Sequence, residues 1–297
     1  MRPVLAYAPR PGPLGVARPW IVAAYLAPLA IVAFTIANPL LLIAAGTTAA
    51  AAGALSAAGP SIARPLRWSA SLAAMVVAVN AIASQRGATI LLRGFELPVV
   101  GRIDVTLEAL AEGAVLALRI IVALTVFAVW SACVDPDRVL RAIRPVAARS
   151  ALTATLVSRL VPIAAADGTR MAEAGRLRGP AAAPVGRVAL TRRLVAGSLD
   201  RSVDIAATLE LRGYGLGIRS RRPRHRREPG EVGLLGAGAT GLALVTSAAA
   251  AGSTGFDAYP RIAIDLGPAT IGLALAIPVV MLAPLLAAWR RRRTAGG

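Results

Sequence analysis

Several stretches of this chain run for about 18–20 residues without a charged side chain, the length an α-helix needs to cross the ~30 Å hydrocarbon core of a bilayer. Of its 297 residues, 56% are hydrophobic and 16% are charged, against roughly 25% charged in an ordinary soluble domain. A soluble enzyme of this size is therefore excluded, as are a disordered chain and a collagen-like repeat. Cys133 is the only cysteine, which excludes a disulfide framework.

The apolar runs predict six spans, at about 20–37, 39–58, 68–84, 105–132, 232–251 and 266–289. Asn38-Pro39 is an uncharged turn between the first two, and Gly59–Arg67 reads as a short loop. The segment Arg86–Asp104 is a small hairpin or a re-entrant segment, with a turn at Arg93-Gly94. From Asp135 the membrane pattern stops. Asp135-Pro136-Asp137 is a helix start, an acidic cap followed by proline. Two longer helical patterns follow, with Leu152, Leu156, Leu160 and Ile163 on the first and Val195, Leu199, Val203 and Ala206 on the second. Each predicts an amphipathic helix lying across something apolar. The fold class is thus an all-α integral membrane protein with about six transmembrane helices and an extra-membrane region of long amphipathic helices. It divides into 1–134 (spans one to four), 135–230 (the amphipathic region) and 231–297 (spans five and six with a basic tail).

The net charge is +18, and all 33 basic residues are arginine. Nineteen of them fall between Arg138 and Arg227, and Arg290–Arg293 close the last span. Concentration in a few segments fits cytoplasmic loops under the positive-inside rule better than a nucleic-acid surface. With 138–227 inside, the Arg64/Arg67 loop and both termini also fall inside, and the uncharged Asn38-Pro39 turn falls outside. The expected location is the cell membrane, multi-pass, with the lipid bilayer as one partner and no nucleic acid.

A search for catalytic chemistry is nearly empty. His225 is the only histidine and stands in the basic Arg219–Arg227 loop. One Cys and one His make no zinc cluster, and no phosphate-binding GxxxxGK[ST] loop occurs. The Gly-rich run 233–241 opens a span, where small residues let helices approach closely. No enzyme activity, cofactor or metal is expected. Glu108, Glu112 and Arg119 share one helix face at spacings of 4 and 7. They read as structural charges, with Arg119 paired in the bundle through Glu112 or a backbone carbonyl.

The strongest signal is a repeat. Leu177-Arg178-Gly179 and Leu211-Arg212-Gly213 each end a helical pattern, 34 residues apart. Each glycine can supply the left-handed residue that stops a helix, and each arginine sits where a cation suits the helix dipole. Two ordinary helix ends in an Arg-rich chain would look similar. However, a guanidinium presented at a helix tip also fits an acidic groove on a partner.

On these residues the chain resembles the transmembrane T component of energy-coupling factor transporters, the cobalt-transport permease family. There, two coupling helices end in Ala-Arg-Gly, and this chain has Leu for Ala in both copies. Thr106-Leu107-Glu108, Leu118-Arg119, Asp135-Pro136-Asp137, Arg159-Leu160-Val161-Pro162 and Gly213-Tyr214-Gly215 are similar to successive landmarks of the family. The resemblance implies a scaffold that joins two ABC-type ATPase subunits to a small substrate-binding membrane subunit, for uptake of vitamins or of cobalt or nickel. It implies that Arg178, Gly179, Arg212 and Gly213 bind the ATPases. An ordinary ABC permease subunit and an integral-membrane lipid enzyme are the alternatives.

Overall fold

In the computed structural model, residues 12–56, 58–84, 89–97, 101–143, 148–177, 186–213, 229–250, 252, 255–259 and 262–295 are described. The chain is a multi-pass helical bundle of the membrane type. Every predicted span lies in a helix: α2 (Pro19–Thr35), α3 (Pro39–Leu55), α4 (Gly59–Ala83), α5 (Leu107–Cys133), α9 (Pro229–Ala250) and α10 (Pro268–Ala295). Among the described residues, four segments are long and apolar enough to cross a membrane: Ile62–Ala83, Leu107–Cys133, Gly230–Ala250 and Pro268–Arg291. Pro19–Thr35 and Pro39–Leu55 are apolar but shorter, at 17 residues each.

Proline opens α2, α3, α4, α9 and α10. Its missing N–H falls among donors that have no intrahelical partner there. Asn38 caps α3, its side chain accepting from Leu40 N–H at 3.0 Å. Thr106 caps α5 by accepting from Ala109 N–H. The expected loop at 59–67 is instead the start of α4, with Pro65 inside the helix. That proline sits in the second turn and removes a single ladder bond while keeping a helical φ.

The segment before α5 is an antiparallel hairpin of β1 (Ile90–Leu97) and β2 (Gly101–Thr106). The turn is not at Arg93-Gly94, which lie inside β1. In the observed register Arg93 pairs with Asp104 and Glu96 with Arg102. A second, two-residue hairpin joins β3 (Phe256–Asp257) to β4 (Ala263–Ile264) just before α10.

The chain divides into two compact units. The first comprises Met1–Val139 and Arg227–Gly297. Within it α5 packs on α2, α3 and α4, α10 packs on α3 and α9, and α2 packs on α9. Tyr25, Ile21, Leu29, Leu41, Met281 and Leu285 are fully buried where these helices meet. The Gly-rich run of α9 serves this packing. A Cβ at Gly238 would stand 2.6 Å from the Ala24 carbonyl oxygen, and one at Gly241 would stand 2.8 Å from the Met281 sulfur. Close backbone approach of this kind is how apolar helices associate where burial alone gives no preference. The Tyr25 hydroxyl donates to the Met281 carbonyl at 2.7 Å, in the turn of α10 that precedes Pro284.

The second unit, Leu140–Arg226, holds α7 (Ala148–Leu177) and α8 (Arg187–Leu211). These two helices pack on each other. The half-buried side of α8 is Leu190, Leu194, Arg201, Ile205 and Leu209. The expected stripe of Val195, Leu199 and Val203 is exposed instead, with Leu199 61% accessible. The helix carries two apolar rows, and only one of them meets α7.

Gly238→Ala tests the α2–α9 crossing. The added methyl meets backbone rather than a movable side chain, and the expected destabilisation is about 1–3 kcal/mol. Gly236→Ala, which faces open space, should hold or raise the melting temperature because alanine is the better helix former. Thermal unfolding of both variants in detergent checks the pair.

Candidate functional site

The α-helical rise lets the charges on α5 be placed. Arg119 Nε donates to the Ile36 carbonyl at 2.9 Å, and Ile36 is the C-terminal cap of α2. Arg119 is twelve residues into α5, so α5 continues roughly 18 Å beyond the level at which α2 ends. Of the two partners expected for Arg119, the backbone carbonyl is the one it takes. A cation there also meets the negative end of the α2 dipole. The first three turns of α5 therefore extend past the end of α2.

Glu108 is buried in that stretch, and both carboxylate oxygens accept from Thr89 N–H, at 3.1 and 3.2 Å. Leu107 N–H in turn donates to the Thr89 carbonyl at 3.0 Å. The acid therefore anchors the hairpin to the start of α5. From α4, the Asn80 amide donates to the Ala109 carbonyl at 2.8 Å. Glu112 is half-buried and makes no hydrogen bond or ion pair to a described residue. It lines a cavity of about 290 Å³ with Arg119, Ala37, Val115 and the segment Phe256–Tyr259. The shared face of Glu108, Glu112 and Arg119 thus holds three different environments within three turns: a hairpin anchor, a polar cavity wall and a helix cap.

Unit two carries the repeat. α7 is helical through Leu177 and α8 through Leu211, both leucines nearly fully exposed at 87% and 89%. Arg212 is the exposed C-cap of α8. Gly213 follows with φ +76°, the left-handed geometry the Leu-Arg-Gly pattern predicts, and its N–H donates to the Glu210 carbonyl at 2.8 Å. A β-carbon is disfavoured in that conformation. Arg178, Gly179 and His225 lie outside the described residues, as does the Arg219–Arg227 loop.

An ion pair joins the two helices. Arg201 Nη2 donates to Asp167 Oδ2 at 2.9 Å, and Arg170 stands 3.3 Å from the other oxygen. Asp167 and Arg201 occupy equivalent places in the repeat, each eleven residues before the arginine of its Leu-Arg-Gly. From this bridge each helix runs roughly 15 Å to its terminal leucine. Pairing of partly exposed ions is worth little stability; its effect is to set where the helices meet.

Other polar contacts escape sequence reasoning. Asn38 is buried, and its amide donates to the Asp265 carbonyl at 2.8 Å. Asp265 in turn accepts from Gly267 N–H and the Thr270 hydroxyl. Glu231 is buried and accepts from Arg18 N–H at 3.2 Å. These partners are more than 200 residues apart, and nothing in local pattern announces them. The one available signal was that Glu231 and Asn38 are polar residues at the mouths of apolar helices.

No candidate metal cluster of three or more His, Cys, Asp or Glu occurs among the described residues. Comparison with known family models and with curated proteins finds no match.

Arg119→Ala should lower the stability of the folded chain by about 1.5–3 kcal/mol, the range for a hydrogen bond to a charged group. Glu112→Gln, which disturbs no such bond, should leave the melting temperature unchanged. Thermal unfolding with both variants in one detergent checks the contrast.

Proposed function

We propose that this chain is the transmembrane scaffold and energy-coupling subunit of an ECF-type ABC importer. In this reading it has six spans, with both termini and the 138–227 region in the cytoplasm. ATP is bound and hydrolysed on two partner ATPase subunits. Their motion is passed through α7 and α8 to a small membrane subunit that captures a vitamin or a transition-metal ion such as cobalt or nickel. The chain itself is then neither an enzyme nor the cargo-binding component.

One observation carries the reading: α8 ends in an exposed guanidinium at Arg212, fixed by a left-handed glycine, within a motif that the sequence repeats at 178. A planar fork held at a rigid helix tip suits bidentate contact with a carboxylate-lined groove, and lysine cannot reproduce it. The Asp167–Arg201 bridge adds support. It stands equally far from the two motifs along their helices, as a paired contact with two like subunits requires. The exposed apolar row of α8 and the absence of any clustered catalytic or metal-ligating groups among the described residues are also compatible with a coupling part.

Arg178→Ala and Arg212→Ala should each weaken ATPase recovery or uncouple hydrolysis from uptake. Loss of one partner of a desolvated charge contact costs about 2–5 kcal/mol. The double variant should lose far more, because a remaining anchor keeps the second attachment intramolecular. Arg176→Ala and Arg219→Ala are the nearby controls. Co-purification and uptake assays on all five variants decide it; full assembly in the double variant, or equal failure of the controls, would sink the assignment. Orientation has its own test. Ser220→Cys should resist an impermeant thiol reagent added outside intact cells and react once the membrane is opened.

A further inference from the structure

The helical bundle gives up the chain at Val139 and takes it back at Arg227. Residues beside both points hold the same short segment. On the leaving side, Arg138 Nη1 donates to the carbonyls of Gly15 and Val16, each at 3.1 Å. Both belong to α1 (Pro13–Val16), a single turn whose carbonyls have no following turn to receive. On the returning side, Glu231 in the first turn of α9 is buried. It accepts from the Arg18 backbone N–H at 3.2 Å, and its second oxygen stands 3.6 Å from Arg18 Nε. Arg18 is the N-cap of α2.

The gripped segment is itself anchored. Leu14 is fully buried and Ala17 nearly so. A Cβ at Gly12 would stand 2.4 Å from the Ser56 carbonyl oxygen, so the chain there lies directly on the end of α3. Four consecutive residues, Gly15–Arg18, therefore receive one grip from Arg138, two residues before the second unit begins, and one from the helix after it. Each grip satisfies a polar group, the open α1 carbonyls on one side and the buried Glu231 carboxylate on the other, and the two converge on one segment.

We propose that Gly15–Arg18 is a clasp and that Arg138, Arg18 and Glu231 are positioning residues for energy coupling. They tie together the two points where the second unit joins the bundle. A displacement of that unit is then delivered jointly to α9 and, through the Arg18 cap, to α2, which packs on α5 and α9 in the core. Without the tie, each connection is a separate hinge that absorbs the motion. This role rests on the coupling function proposed above, while the tie itself does not.

The test uses the full chain with Arg138→Ala, Glu231→Leu and the acceptor-retaining Glu231→Gln; Arg141→Ala is the control. The first readout is amide hydrogen exchange of the purified chain in lipid nanodiscs. Arg138→Ala should speed exchange at Gly233–Leu235, across the clasp from the substitution, by about tenfold, and Arg141→Ala should not. Unchanged protection there overturns the clasp, whatever the partners of the chain are. The second readout is uptake per ATP hydrolysed in the reconstituted complex. Arg138→Ala and Glu231→Leu should each lower it by about tenfold, within the ~5–150-fold span of coupling effects, with ATPase recovery unchanged. Glu231→Gln, which keeps an oxygen to accept from the Arg18 backbone N–H, should retain most of it. If uptake, ATPase recovery and thermal stability fall together, the contacts are only structural and the positioning role is overturned. If the unaltered chain recovers no ATPase, the proposed function fails and the positioning role with it, while hydrogen exchange still decides the tie.

Discussion

The bundle depends on how it closes the ends of two short helices. α2 and α3 have 17 residues each, roughly 25 Å of helix, and they stop beside a longer α5. Their terminal backbone groups fall inside protein, where an unsatisfied carbonyl or amide is costly. Arg119 supplies a cation to the Ile36 carbonyl, and Asn38 caps α3 while its amide reaches the Asp265 carbonyl. One side chain from α5 and one from the turn therefore secure α2, α3 and the start of α10 together. Arg119, a charge within an apolar helix, is here the partner of a helix end.

The opposite end of the bundle follows the same physics with different residues. Arg138 takes the open carbonyls of α1, and buried Glu231 takes the Arg18 amide. Between these polar ends the contacts are almost wholly apolar. Close approach at Gly238 and Gly241 and the filled positions around Tyr25 and Met281 set the helix spacing. Division of labour of this kind is expected where the surroundings are as apolar as the core. Packing and hydrogen bonds, rather than burial, then choose which helix neighbours which.

The second unit is built on other terms. Its two helices share one crossing, and most of their side chains are only half-buried or exposed. α8 bears an apolar row that faces away from α7, with Val188, Val195, Leu199 and Val203 all exposed. Arg201 lies on the α7-facing side, bonded to Asp167, and Arg212 caps the exposed end of α8.

The six apolar segments, the cap at Asp135, the hairpin option before α5 and the left-handed stop at Gly213 were all legible from the sequence. Each depends on residues within a turn or two of one another: uncharged length, an acid before proline, a glycine after a helical run. The Gly-rich run at 233–241 likewise announced close helix approach. Tertiary structure alone decided the rest. Arg119 could have met Glu112 seven residues away, but the end of α2 offered a bare carbonyl at the same level and took it. The turn expected at Arg93-Gly94 is not there, because β1 stays paired with β2 from Ile90 to Leu97. The stripe at 195–203 and the row at 190–209 both carry apolar residues at helical spacing, and the row that meets α7 is the one whose Arg201 finds Asp167. Local pattern specifies which elements form; which polar group closes which helix end depends on distance in space, and sequence separation carries no measure of it.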